Sequence, residues 1–224
     1  METSSKQLHI GLAGLGNVGS GVYKNLIRNK DILQERTGSQ LQVAKVAVRD
    51  LNRQREVKVA PEILTTDWRD LVDDPAIDVV VELIGGDEEA FELISAALHA
   101  RKAVVTGNKA VLAKHGKRLI ELSEEKNTPL YCEAAVAGGI PIIKAVKEAL
   151  VGNRIDSIYG IINGTSNYIL TRMTKAGISF AEALQEASDK GFAEADPSLD
   201  VNGWDAGHKA IILGWLSYGR WLKP

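Results

Sequence analysis

The chain has 224 residues, a net charge of −2 and 27 Lys and Arg against 29 Asp and Glu. With no long basic stripe, nucleic acid is excluded as an expected partner. The single cysteine, Cys132, excludes an intramolecular disulfide framework and fits a reducing compartment. No apolar run approaches a membrane span, and Met1 to Lys6 is short and polar with no signal-peptide apolar region behind it. A soluble cytoplasmic protein, with one domain or two small ones, is the expected class.

Leu8 to Ala13 is a short apolar run suited to a buried parallel strand. Three glycines follow, then Val18 to Ile27 with Val18, Val22, Leu26 and Ile27 at helical spacing. Gln42 to Val48 reads as a second strand. Asp67 to Val72 suits a short helix with Asp67 as its cap. Asp78 to Ile84 is a strand ending at Gly85-Gly86. Glu88 to Ala100 is helical, with acids in its first turn where the dipole favours them. Ala103 to Thr106 is a strand, Ala110 to Lys126 a helix and Leu130 to Cys132 a strand. This alternation predicts an α/β fold with a doubly wound, Rossmann-type parallel sheet. The pattern then changes, and a domain boundary is placed near residue 135. Pro141 fits the first turn of a helix running to Leu150. Ile155 to Ile162 reads as a strand. Ser179 to Glu182 is a capping box opening a helix to Lys190, and the last helix runs from about Gly203 to Ser217.

The strand-turn-helix around Gly14-Leu15-Gly16-Asn17-Val18-Gly19 predicts dinucleotide binding. Gly14 permits the tight turn, Gly16 lets backbone approach a pyrophosphate, and Gly19 lets the helix pack closely. The helix N-terminus offers free N–H groups to phosphate. A glycine turn in any α/β protein is the plainer alternative. After the second strand, Arg49 stands where a ribose-binding acid is usual, with Asp50 next. An arginine there accepts a 2′-phosphate, which favours NADP, while Asp50 leaves NAD open.

Thr106-Gly107-Asn108-Lys109 follows a strand at the carboxyl edge of the expected sheet, where open α/β folds bind ligands. Lys109 is either an active-site lysine there or a solvated one at a helix start. Glu133 and the turn to Ile140 supply oxygens that would suit a hard cation, or form only a hinge. Asp205 and Lys209 share a helix face at i,i+4 spacing. Exposed, they are a surface pair; lining a cleft, Asp205 would orient Lys209 as a proton donor to a developing alkoxide. Glu194, Asp196 and Asp200 lie in a loop that would bind a substrate ammonium or be merely solvated.

These motifs resemble the homoserine dehydrogenase family. The matching stretches are Gly14 to Gly19, Val48-Arg49-Asp50, Thr106 to Ala110, Glu133 to Pro141, Asn163 to Leu170 and Gly191 to Lys209, in family order across almost the whole chain. The resemblance implies reduction of L-aspartate 4-semialdehyde to L-homoserine with NADP or NAD, in threonine, methionine and isoleucine biosynthesis. It implies a dinucleotide-binding domain over 1–135 and an α+β dimerisation and substrate domain over 136–224, incomplete relative to the family. Lys109 and Lys209 match the family's active-site lysines. Glu194, Asp200 and Asp205, with Gly164 and Thr165, match substrate-binding residues. Gly14, Leu15, Gly16, Asn17, Val18, Gly19, Arg49, Thr106, Asn108 and Lys109 match the cofactor site. Glu133, with the backbone of Val136, Gly138 and Ile140, matches a sodium site. A homodimer or homotetramer is implied.

Family members continue past the helix that carries Lys209. A short chain that binds dinucleotide without turnover is therefore the alternative expectation. Aspartate-semialdehyde dehydrogenase, a relative that needs a nucleophilic cysteine, fits poorly because Cys132 sits within a strand and not beside a recognisable base.

Overall fold

The computed structural model describes residues 6–193 and 196–222. It divides into two compact units, Met1–Ala135 and Val136–Pro224.

The first unit is built on a six-stranded parallel sheet. Its strands are β1 (Lys6–Ala13), β2 (Ser39–Ala47), β3 (Leu64–Thr65), β4 (Val79–Glu82), β5 (Ala103–Thr106) and β6 (Leu130–Tyr131). They lie in the order β3-β2-β1-β4-β5-β6. The order reverses at β1, so the crevice above its carboxyl end is where this architecture binds ligands. Helices α1 (Asn17–Arg28), α2 (Lys30–Thr37), α3 (Arg69–Asp73), α4 (Glu88–His99) and α5 (Lys109–Glu125) connect the strands.

Alternation along β1 sends helices to both faces of the sheet. Ile10 and Leu12 bury one face, in a cluster with Tyr23 of α1, Leu15, Val46, Val48 and Val81. Gly11 points the other way, and a Cβ there would lie 3.1 Å from Leu71 of α3 and from Ile77. The missing side chain lets α3 pack close to the strand. α4 buries Ala90, Leu93, Ile94, Ala97 and Leu98, a single apolar stripe at helical spacing. α2 and β3 escaped the sequence reading. α2 buries no residue, and β3 is too short to show a period. The helix expected from Asp67 starts slightly later: Asp67 Oδ1 accepts from Arg69 N at 2.9 Å, and α3 begins at Arg69.

The second unit is helical over its described residues: α6 (Ile142–Lys144), α7 (Gly164–Ala176), α8 (Phe180–Asp189), α9 (Ser198–Val201) and α10 (Trp204–Tyr218). The helix expected over 141–150 is not regular. Pro141 caps α6 from outside, and the chain widens into a π-helical stretch, Ala145–Ala149, with Leu150 N donating to Ala145 O at 2.9 Å. The strand expected over Ile155–Ile162 has no ladder. A strand needs a neighbour to receive its hydrogen bonds, and among the described residues of this unit no other strand is present. Its apolar side chains are correspondingly exposed, Tyr159 at 92% and Ile161 at 76%. The capping box of α8 is present: Ser179 accepts from Glu182 N, and Glu182 accepts from Ser179 N at 2.8 Å. Ile169 of α7 packs against Ala183 and Ala187 of α8 and Ala193. Among the described residues no helix is long and apolar enough to cross a membrane.

Candidate functional site

In the first unit, the turn between β1 and α1 is shaped by its glycines. Gly14 has φ +95°, a conformation that L side chains rarely adopt. A Cβ on Gly14 would strike the Leu83 carbonyl, and one on Gly19 would strike the carbonyl of Gly14. Gly19 therefore lets α1 close on the turn, and Gly14 lets the turn lie against the end of β4. Gly16 differs, because a Cβ there would meet nothing within 4 Å. It caps α1 without a side-chain hydrogen bond, and the first turn carries no acid. The first N–H groups of α1, from Asn17 and Val18 onward, thus face open space at the positive end of the helix dipole. That fits a pyrophosphate. Leu15 is buried beneath the turn and Val18 is exposed.

A cleft of about 290 Å³ opens beside this turn, lined among others by Gly14, Gly16, Arg49, Asp50, Arg53 and Trp68. Its far wall is the loop after β2. Arg55 Nη1 donates to Arg53 O at 2.8 Å and Nη2 to Asp50 O, which braces the loop. The Asp50 carboxylate accepts from Asn52 N at 2.8 Å, so it is partly committed within its own loop. Arg49 is exposed at the cleft wall. The donor set suits a dinucleotide: free helix N–H groups for a pyrophosphate, and an arginine beside a carboxylate where the adenosine ribose belongs.

On the other side of β1, at the carboxyl edge of β4 and β5, lie Thr106, Asn108 and Lys109. Asn108 caps α5, with Oδ1 accepting from Val111 N at 3.2 Å and Nδ2 donating to Gly86 O at 2.7 Å. Lys109 is the first residue of α5 and half-buried. An ammonium at the positive end of a helix opposes the dipole. The Thr106 hydroxyl is buried and donates to Glu82 at 2.5 Å. It is therefore committed inside the protein, and Thr106 can offer a ligand only its backbone. The sequence reading passed over Glu82, which is fully buried. The available signal was a carboxylate closing the otherwise apolar run Val79-Val80-Val81. Desolvation raises its pKa above the ordinary value, against the hydrogen bonds from Thr106, Ile84, Asn108 and Gly85.

After β6, Glu133 opens a 3₁₀ turn, Glu133–Ala135, and is half-buried. Ala137 and Gly138 both adopt left-handed conformations, φ +60° and +56°. The Ile140 carbonyl accepts from Ile142 N at 2.8 Å. Val136 is buried, Gly138 exposed.

In the second unit, side chains expected together are together. Lys209 Nζ lies 2.6 Å from Asp205 Oδ2 and donates to the Ile162 carbonyl at 2.7 Å. Asp205 is 4% exposed, so this is no solvated surface pair. Asn163 joins the two acids: its Nδ2 donates to Asp200 Oδ1 at 2.7 Å and to Asp205 Oδ2 at 2.8 Å. Its Oδ1 caps α7 by accepting from Ser166 N at 2.7 Å. Gly164 and Thr165 consequently form the first turn of α7, and the Thr165 hydroxyl donates to Phe192 O at 2.8 Å. The sequence reading named Asn163 only as part of a segment and missed its bridging amide, because 37 and 42 residues separate it from its partners. Glu194 lies outside the described residues.

Comparison with known proteins follows the same division. The model of the homoserine dehydrogenase NAD-binding domain matches residues 14–133, and the homoserine dehydrogenase model matches 141–224. The chain is 46% identical over 213 residues to homoserine dehydrogenase of Bacillus subtilis, covering 95% of this chain and 49% of that protein. It is 48% identical over 219 residues to that of Synechocystis, with 96% and 49% covered. It thus spans about half the length of the curated relatives it matches. The crystal structure of a homoserine dehydrogenase from Thiobacillus denitrificans superposes with TM-score 0.87 at 46% identity, over 96% of this chain and 49% of that one. A hyperthermophilic archaeal homoserine dehydrogenase in complex with NADPH superposes with TM-score 0.83 at 29% identity, over 96% and 70%. With both family models matched in order over a nicotinamide-dinucleotide fold, this chain belongs to the homoserine dehydrogenase family.

Proposed function

We propose that the chain carries the NADPH-dependent reduction of L-aspartate 4-semialdehyde to L-homoserine. The observation that supports this most is the pairing of half-buried Lys209 with buried Asp205, which Asn163 holds. A lysine placed to protonate an alkoxide must stay aimed. Asp205 Oδ2 fixes one N–H and the Ile162 carbonyl a second. Of its three donors two are engaged among the described residues, which leaves one for a substrate oxygen.

The bound nicotinamide supplies a hydride to the aldehyde carbon. As the carbonyl oxygen gains charge, Lys209 Nζ donates the proton that completes the alcohol, and the lysine is reprotonated from solvent. Lys109 is proposed as the second active-site lysine. Glu194 and Asp200 bind the substrate ammonium, and Gly164 and Thr165 wall the substrate. Gly14 to Gly19, Arg49, Thr106 and Asn108 hold the dinucleotide, with Arg49 selecting the 2′-phosphate of NADP. Glu133 and the carbonyls of Val136, Gly138 and Ile140 are hard oxygen donors of the kind sodium takes, and we assign sodium to them. A homodimer or homotetramer in the cytoplasm completes the reading.

The test mixes the 224-residue chain with NADPH and aspartate 4-semialdehyde and follows NADPH oxidation, with Lys109→Ala and Lys209→Ala as controls. Turnover lost in both variants supports the reading. Saturable NADPH binding without turnover in the wild type refutes catalysis by this chain alone and leaves dinucleotide binding as its activity.

A further inference from the structure

Glu82 has no part in the chemistry above, yet it is fully buried at the carboxyl end of β4. Desolvation raises its pKa, and hydrogen bonds from Thr106, Ile84, Asn108 and Gly85 oppose that rise. A buried carboxyl is costly unless its surroundings supply donors aimed at it. Here they do. Asn108 N donates to Thr106 Oγ1 at 3.0 Å, Thr106 Oγ1 donates to Glu82 Oε2 at 2.5 Å, and Ile84 N donates to Glu82 Oε1 at 3.0 Å. With Thr106 Oγ1 accepting from Asn108 N and giving its single proton to Glu82, the chain of donors ends on Glu82. That polarity suits an ionised carboxylate.

The location gives this charge a consequence. Glu82 is in register with Ala13, which precedes the glycine turn, and with Thr106, which precedes Asn108 and Lys109. Leu83 and Ile84, the next two residues, line the cleft. Arg49 and Asp50 mark the adenosine end beside β2. A dinucleotide whose pyrophosphate sits on the Gly14–Gly19 turn therefore places its other half over the ends of β4 and β5. The nicotinamide ring is cationic when oxidised and neutral when reduced.

We infer that Glu82 is a buried anionic positioning residue that aligns the Thr106–Lys109 turn and selectively favours the oxidised form of the cofactor. The inference rests on the cofactor reading above. A unit charge on the order of 10 Å from a cationic ring, at an effective dielectric constant near 20, would shift the relative affinity for the two cofactor forms roughly tenfold.

The experiment measures Kd for NADP⁺ and for NADPH on the whole chain, wild type against Glu82→Gln. The expected result is a weakening of NADP⁺ roughly tenfold greater than that of NADPH. An equal change for both forms would reduce Glu82 to a brace between two loops and overturn the inference. Thr106→Val removes a donor without touching the carboxylate. It should shift the ratio in the same direction but less, and it carries the test if Glu82→Gln does not fold. Infrared difference spectra of the cofactor-free proteins provide an independent reading. A carboxylate band lost in Glu82→Gln at neutral pH supports the ionised state, and a protonated-carboxyl band instead overturns it. Failure of the wild type to bind either form would refute the cofactor reading itself, an outcome distinct from an unchanged ratio.

Discussion

Gly16→Ala and Gly19→Ala add the same methyl group to the same turn, and the structure predicts opposite consequences. At Gly19 the new Cβ meets the Gly14 carbonyl carbon at 2.9 Å and its oxygen closer still. Backbone cannot swing away as a side chain can, so the turn must open. Overpacking of this kind costs about 1–3 kcal/mol. Replacing a helical glycine by alanine returns up to about 1 kcal/mol. The net loss is up to about 2 kcal/mol, which lowers Tm by up to roughly 8 °C in a chain of this size. At Gly16 the methyl enters open space, and the backbone, at φ −78° and ψ −158°, is one any residue adopts. The remaining cost is alanine's poor performance as an N-cap, about 0.5 kcal/mol. The space it fills, however, is where backbone must approach the pyrophosphate. Gly16→Ala should therefore weaken NADPH by at least about tenfold, or 1.4 kcal/mol, while Tm moves only a degree or two. Calorimetry and a fluorescence titration of NADPH on both variants separate the two effects. Wild-type NADPH affinity in Gly16→Ala would refute the placement of the pyrophosphate over this residue.

Arg49→Ala should weaken NADPH more than NADH, since only the former carries the 2′-phosphate; equal losses by titration would remove the case for NADP. Lys209→Ala should lower turnover by orders of magnitude with NADPH binding unchanged, and Asp205→Asn should lower kcat less, because its side-chain oxygen can still accept from Lys209 or Asn163. Weakened NADPH binding in either variant would contradict the roles given. Asp205→Ala should cost about 3–5 kcal/mol of stability, because it strands a partly buried ammonium, readable as a lowered denaturation midpoint. In the α7–α8 pair, Arg172 Nε lies 2.6 Å from Glu186 Oε2, which holds the Glu186 carboxyl below its usual value of 4.5. A depressed carboxylate stabilises the folded state above that value, and the contribution disappears as pH falls through the folded pKa. Glu186→Gln should accordingly flatten the acid limb of stability below about pH 4.5, and an unchanged limb would count against the pair.

A buried lysine elsewhere illustrates why burial alone does not mark a site. Lys102 is 6% exposed, and its Nζ donates to the carbonyls of Asp74 and Ile77 at 2.6 and 2.7 Å. Desolvation lowers its pKa. Its partners are the backbone carbonyls of Asp74 and Ile77, so it secures the chain between α3 and β4. Lys209, by contrast, pairs with a carboxylate that is itself held by Asn163, whose second acid, Asp200, lies in α9.

Strong local periodicity and turn chemistry made much of this protein legible in its sequence. Alternating apolar strands and amphipathic helices dictated the parallel sheet, because each element must bury one stripe or face and the βαβ connection leaves few ways to do so. The glycine spacing marked the phosphate turn because only a residue without Cβ tolerates the backbone positions that Gly14 and Gly19 occupy. The i,i+4 spacing of Asp205 and Lys209 placed them on one helix face. What the tertiary structure alone decided depends on partners distant in the chain. Burial of Asp205 beside Lys209, the bridge from Asn163 to two acids and the donor chain ending on Glu82 all join segments that no local period relates. The failed strand at Ile155–Ile162 has the same cause. Its alternating apolar residues fit a pleated surface, but a strand exists only where a neighbour accepts its hydrogen bonds, and that requirement is written in the fold and not in the segment.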